Sequence, residues 1–204
     1  MINELKNHQL QLKKCTLCNE MVGVPVHGQA VISSIMLIGQ APGIKEAGED
    51  KPFAWTAGKT LFKWFNGIGV DEQQFRQSVY MTAVCRCFPG RKGKGGDRVP
   101  NKSEIKNCSR WLSAEINIIQ PRLILLVGKL AINQVLPVKK LTDIIGTQIS
   151  HEFFDHKCDF IALPHPSGAS TWFRSEPGVS LLAESLQLIQ KHSSWQDIIQ
   201  SRMS

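Results

Sequence analysis

Residues 123–127 read LILLV, an unbroken apolar run. A strand wetted on one face alternates apolar and polar residues, so a continuous run marks a strand covered on both faces. SIMLIG (34–39), SVYMTAVC (78–85) and CDFIALP (158–164) read as further buried strands. Helical patterns separate them. GKTLFKWFNGIG (58–69) carries Leu61, Trp64, Phe65 and Ile68 on one stripe. A second helix, N-capped by Asn101 or Ser103, carries Ile105, Cys108, Trp111, Leu112, Ile116 and Ile119. A third, shorter one is KLAINQVL, and a last begins near Pro177 and runs through LLAESLQLIQ. Strands alternating with helices predict an α/β fold in which a parallel sheet is flanked by helices and joined by right-handed crossovers.

The 204 residues suit one domain with a sizeable core. No apolar run approaches membrane-spanning length, and the N-terminus has no signal-peptide pattern, so a cytoplasmic protein with no membrane partner is expected. In that compartment the six cysteines read first as metal ligands, catalytic groups or buried thiols rather than disulfides. The net charge of +7 is a mild pointer to nucleic acid. Its clustering says more. Arg91, Lys92, Lys94, Arg98 and Lys102 fall within one glycine-rich stretch, opposed only by Asp97.

Unusual residues follow each strand: GQAPG after the first, CRCFPG and the basic loop after the second, GK after the third, HPSG after the fourth. In open α/β sheets ligands bind beyond the carboxyl ends of the strands, so these residues predict one site at that edge. The loop GQAPGIKEAGEDKPFAW (39–55) combines glycines with Gln40, Glu46, Glu49 and Asp50 as acceptors and Phe53 as a flat apolar surface; as a plain solvated loop, it would put Phe53 and Trp55 in the core. TAGKT (56–60) lacks the earlier glycine of a phosphate loop, and Lys59 reads as an exposed residue of a first helical turn. His165 stands at a strand mouth, where an imidazole can donate a hydrogen bond to a developing anion. His27, His151, His156 and His192 lack such a setting and read as surface or structural residues.

Cys15-x2-Cys18 has metal-ligand spacing. Cys108, with Cys85 or Cys87, would complete a set of four. A second C-x2-C, the mark of a zinc ribbon, is absent from the sequence, and the irregular spacing suits an iron–sulfur cluster better than zinc. Cys158 reads as a plain thiol.

In order, Cys15-x2-Cys18, GQAPG, Glu46, Pro52-Phe53, Arg86-Cys87-Phe88-Pro89, Cys108 and His165-Pro166-Ser167 resemble the uracil-DNA glycosylase superfamily, in particular its iron–sulfur branch, families 4 and 5. The resemblance covers roughly residues 15–190. It implies a three-layer α/β/α fold with a central four-stranded parallel sheet, a single domain over 1–204 with the cysteine-bearing segment 1–30 packed onto it. It implies a DNA repair enzyme that hydrolyses the N-glycosidic bond of uracil or a related deaminated base flipped into the pocket.

By position in the family pattern, Phe53 would stack on the base, and the backbone of Gly39, Ala41 and Gly43 would contact it, with Ala83 and Ser167 also at the substrate. Gln40, Glu46 and His165 would be the catalytic residues, His165 stabilising the departing base anion. Arg91, Lys92, Lys94, Arg98 and Ser170 would hold DNA phosphates. Cys15, Cys18, Cys87 and Cys108 would bind a [4Fe-4S] cluster in a structural role, with Cys85 a packed neighbour or fallback ligand and zinc the less favoured metal. The chain departs from the pattern at three places: Ala83 stands where family 4 has a base-reading asparagine, Gln40 where it has glutamate, and Ala41 where family 1 has its water-activating aspartate. An amide is no general base, so Glu46, with Asp50 behind it, is left to orient water. These departures motivate a second expectation, a non-catalytic DNA-binding or damage-sensing module of the same fold. DNA is the expected partner, and the chain is expected to act as a monomer at the nucleoid.

Overall fold

The structure, a computed structural model, describes residues 1–93 and 96–201. Five strands, β1 (Ile35–Gly39), β2 (Tyr80–Ala83), β3 (Leu123–Val127), β4 (Gln148–Phe153) and β5 (His156–Leu163), form one sheet in the order β2-β1-β3-β5-β4. β2, β1, β3 and β5 are mutually parallel, and β4 runs antiparallel to β5. The four expected strands are all present, but the sheet is a mixed one of five. The added strand QISHEF lies at an edge with its side chains mostly exposed, so it lacks the apolar run that marks the others. It turns into β5 through Phe154 and Asp155, both at positive φ, the geometry of a tight two-residue hairpin.

Successive side chains of a strand point to opposite faces, and the core divides accordingly. Met36, Ile38, Ile124 and Leu126 face α1 (Ile2–Leu12), α5 (Lys102–Ile119) and α6 (Lys129–Val135). Ile35, Leu37, Leu123 and Leu125 face α3 (Thr56–Asn66), α4 (Glu72–Ser78), α7 (Gly178–Lys191) and α8 (Ser193–Gln200). The arrangement is three-layered, helices on sheet on helices. A short helix, α2 (Ile44–Glu49), lies in the loop after β1. No helix among the described residues is long and apolar enough to cross a membrane.

α1 was not expected. Its buried residues Leu5, His8, Gln9 and Leu12 keep helical spacing, but two of the four are polar, which hides the stripe. α5 begins after Asn101, not Ser103: the Asn101 side chain accepts from the Glu104 N–H, and Glu104 accepts in return from the Asn101 N–H. The stretch before β1 runs beside the outer edge of β2, with the Val26 N–H donating to the Arg86 carbonyl and the Gly28 N–H to that of Met81. That covers backbone groups which an edge strand would otherwise leave open.

Candidate active site

The carboxyl ends of β1, β2 and β5 open into a cavity of about 470 Å³. Gly39, Gln40, Ala41, Gly43, Glu46, Phe53, Ala83, His165 and Ser167 all line it. Ser170 closes the Ser167 turn by donating its N–H to the Ser167 carbonyl, but it does not line the cavity.

Phe53 sits at φ +52, in the left-handed region. Arg76 of α4 holds it there: Nη1 donates to the Pro52 carbonyl at 2.9 Å and Nη2 to the Phe53 carbonyl at 3.0 Å. The same guanidinium lies over the Phe62 ring and pairs with Glu72. Gly58 lets this loop close, since a Cβ there would come within 1.8 Å of the Phe53 oxygen.

The Ser167 N–H approaches His165 Nδ1 at 3.3 Å. A backbone N–H only donates, so Nδ1 accepts and the ring proton is on Nε2. Burial lowers the pKa of His165 and favours its neutral form. Gly128, at φ +88, leaves room for the ring; a Cβ there would meet His165 Cδ2 at 3.0 Å.

Glu46 is the third residue of α2, and its carboxylate accepts from the N–H groups of Glu46 and Gly43. Burial pushes its pKa up, and the Asp97 and Glu49 carboxylates push the same way. Asp97 also lines the cavity, a position its sequence context did not signal. Asp50, the reserve candidate for orienting water, is ion-paired with Lys13 and does not line the cavity.

The basic loop divides by role. Arg91 and Lys92 are exposed. Arg98 is not a free cation: it makes a bidentate pair with Glu104, at 2.8 and 2.5 Å, and donates to the Glu20 carbonyl. It ties the loop to the start of α5 and lines the cavity. Lys94 lies outside the described residues. Trp55, 47% exposed, stands at the cavity rim with Lys45 Nζ 5.2 Å from its ring centre, so it is not a core residue.

Between Cys85 and Cys87 is Arg86, wholly buried and paired with the equally buried Glu115 at 3.0 and 2.5 Å. Thr82, a cavity residue, donates its hydroxyl to Glu115, and His8 of α1 approaches the same carboxylate at 3.5 Å. Burial alone would raise the Glu115 pKa, but Arg86, with the nearby His8 and Tyr80, holds it down to about 2.

The cysteines gather nearby. Burial pushes the Cys87 thiol up to about 12, and charge on Cys108, Cys15 and Cys18 pushes the same way. Those four thiols are therefore close enough to sense one another. Cys85 is fully buried and donates its S–H to the Cys108 sulfur, which raises the Cys85 pKa and lowers that of Cys108. Among the described residues no group of three or more His, Cys, Asp or Glu is arranged to hold a metal ion. Sulfurs on one zinc ion stand only about 3.8 Å apart, from Zn–S bonds of about 2.3 Å in a tetrahedron. Four cysteine thiolates are the donor set of a multi-iron cluster, and Cys15, Cys18, Cys87 and Cys108 are donors of that type. Burial, with neighbouring charge, favours the thiol form of Cys87 and Cys18, a balance that positive charge bound beside them would reverse.

Sequence reasoning did not anticipate His27, Thr82 or Asp97 in the cavity wall. His27 arrives there through backbone bonds to β2, a long-range pairing with no local signature.

The family model of the Uracil DNA glycosylase superfamily matches residues 25–187, a stretch that carries the whole cavity wall. The chain is 33% identical over 130 residues to the type-4 uracil-DNA glycosylase of Sulfurisphaera tokodaii, covering 63% of this chain and 54% of that one. To the type-4 uracil-DNA glycosylase of Archaeoglobus fulgidus it is 26% identical over 172 residues, 81% of each chain. To the type-5 uracil-DNA glycosylase of Pyrobaculum aerophilum it is 27% identical over 115 residues, 51% of this chain and 48% of the other. The chain thus spans about half the length of the first and last of these and most of the second. A sheet edge with this cavity, in a chain whose residues 25–187 match that model, places the protein in the uracil DNA glycosylase superfamily.

Proposed function

We propose that this protein is a DNA repair glycosylase that hydrolyses the bond between deoxyribose and uracil, or a related deaminated base. The reading is carried by the pairing of Phe53 with a neutral, Nε2-protonated His165 in one cavity at the strand ends. The base is flipped out of the stack and lies against the Phe53 ring. As the C1′–N bond breaks, its electron pair passes to the base and is delocalised onto a ring carbonyl oxygen. His165 Nε2–H donates a hydrogen bond to that oxygen, and a neutral donor achieves this without transferring its proton. Glu46 accepts a proton from the water that adds to C1′. Its raised pKa brings its basicity closer to what that proton transfer needs. Gln40, an amide, positions rather than titrates.

Cys15, Cys18, Cys87 and Cys108 would hold a [4Fe-4S] cluster, whose contribution is structural: it fastens the N-terminal segment, the end of β2 and the start of α5 around the basic loop. Arg91 and Lys92, exposed on that loop, suit a nucleic-acid backbone, and Lys45 and Trp55 at the cavity rim suit a phosphate and an unstacked base. The expected setting is the cytoplasm, at the nucleoid, as a monomer.

The test is incubation with oligonucleotides containing uracil, hypoxanthine or xanthine, single- and double-stranded, followed by alkaline cleavage at abasic sites. Cleavage at uracil that is lost in His165→Ala with folding intact supports the reading. Salt-sensitive DNA binding without release of any of the three bases overturns it in favour of a non-catalytic DNA-binding module.

A further inference from the structure

The edge of β2 presents a second histidine to the cavity. The Val26 N–H donates to the Arg86 carbonyl at 2.7 Å and the Gly28 N–H to the Met81 carbonyl at 3.1 Å. These two bonds bracket His27 and fix its backbone. The approach at residue 28 needs glycine, since a Cβ there would meet the Met81 oxygen at 2.8 Å. His27 lines the cavity, and its Nδ1 lies 2.8 Å from the Gly28 carbonyl. A carbonyl only accepts, so Nδ1 carries the proton and Nε2 is left with a lone pair. Among the described residues none donates a hydrogen bond to Nε2. The charged groups near the ring are Lys13 and Asp50, which pair with each other, and Glu115, which pairs with Arg86. Burial lowers the ring's pKa, which favours the neutral form.

One cavity therefore holds two neutral imidazoles in opposite tautomers. His165 offers a donor and His27 an acceptor. On the neighbouring β2, Ala83 has no polar side-chain atom, and the Thr82 hydroxyl is oriented by donating to Glu115. We propose that His27 reads the ring N–H that deamination creates on a base, an inference that rests on the glycosylase reading of this site. Cytosine N3 is a lone pair and uracil N3 carries a hydrogen; adenine N1 is a lone pair and hypoxanthine N1 carries a hydrogen. An acceptor fixed at Nε2 bonds to the second member of each pair and repels the first. A site built to satisfy a substrate N–H rejects an analogue without it, because a buried polar group is then left unpaired. Guanine and xanthine both carry N1–H, and thymine and uracil both carry N3–H. His27 does not distinguish within those two pairs.

The experiment uses the full-length protein labelled with nitrogen-15 at histidine. Long-range proton–nitrogen correlation spectra are recorded alone and with a duplex carrying one 2′-deoxy-2′-fluorouridine, whose glycosidic bond resists cleavage, or its fluorocytidine counterpart. The free protein is expected to show His27 protonated at Nδ1 and His165 at Nε2. The fluorouridine duplex should shift His27 Nε2, and the fluorocytidine duplex should not. In parallel, His27→Phe should lose about 10- to 100-fold in kcat/KM on uracil, and His27→Gln, which restores an acceptor, should recover part of it. If His165 shifts while His27 Nε2 stays unmoved, or if His27→Phe cleaves uracil within about twofold of the native chain, the role of His27 is overturned and the glycosylase reading stands. If neither histidine responds and no base in the panel is released, the glycosylase reading itself falls, and this inference with it. Should His27→Phe fail to fold, the spectra of the native chain decide.

Discussion

The Phe53 ring rests directly on Gly39: a Cβ added at residue 39 would stand 3.1 Å from Phe53 Cζ and 3.2 Å from Cε2. The end of β1 is thus the floor on which this ring lies. Gly39→Ala forces the ring a few tenths of an ångström into the cavity. Expected is a loss of about tenfold or more in kcat/KM on uracil, because small displacements at a reacting centre are costly. The melting temperature should change little, and thermal unfolding beside the kinetics checks both halves.

Arg76 holds the Pro52 and Phe53 carbonyls from outside the cavity. Arg76→Met keeps the aliphatic stem and removes both bonds. The loop then loses the support that keeps Phe53 in the left-handed region. Denaturant titration should show a loss of about 1–3 kcal/mol, and uracil affinity should weaken although Arg76 never touches the base.

Glu115 links stability to acid. Its carboxyl titrates normally near 4.5 but is held to about 2 in the folded chain, so the folded state binds the proton less readily than the unfolded one. The contribution of Glu115 is complete above pH 4.5 and is lost as pH falls from there toward 2. Glu115→Gln should cost about 3–5 kcal/mol at neutral pH by leaving Arg86 buried without its partner. It should also flatten the acid limb of the stability curve, measured by urea unfolding at a series of pH values.

Glu46 should shape the acid side of the pH–rate profile. Its pKa is raised above 4.5, and only the carboxylate can take a proton from water. Activity should therefore fall as pH drops through that raised value. Glu46→Gln should lower kcat by about 100-fold and remove that acid limb, with KM much less affected.

The paired thiols Cys85 and Cys87 separate by iron content. Cys87→Ser should yield a colourless protein with little iron or inorganic sulfide. Cys85→Ser should keep both, losing only the S–H that Cys85 donates to Cys108. The opposite pattern would make Cys85 the ligand.

What the sequence determined by itself was the layered plan and the edge that carries chemistry. Strands covered on both faces need largely apolar runs, and LILLV is unbroken while its companions are interrupted within the strands only by residues such as Thr82 and Asp159; the polar motifs that follow them must then lie together at one end of a parallel sheet. The antiparallel β4 was not legible because an edge strand needs no apolar run. α1 was hidden because His8 and Gln9 occupy its buried stripe. The Arg86–Glu115 pair was not legible, since nothing local says that residues 29 positions apart will neutralise each other in the core. The pairing of Arg98 with Glu104 had no signal in the sequence, and His27, which read as a surface or structural residue, is carried into the cavity wall by two backbone bonds flanking it. Local pattern fixes which residues must leave water. Which buried or half-buried polar groups meet depends on contacts between distant parts of the chain, and only the tertiary structure decides those.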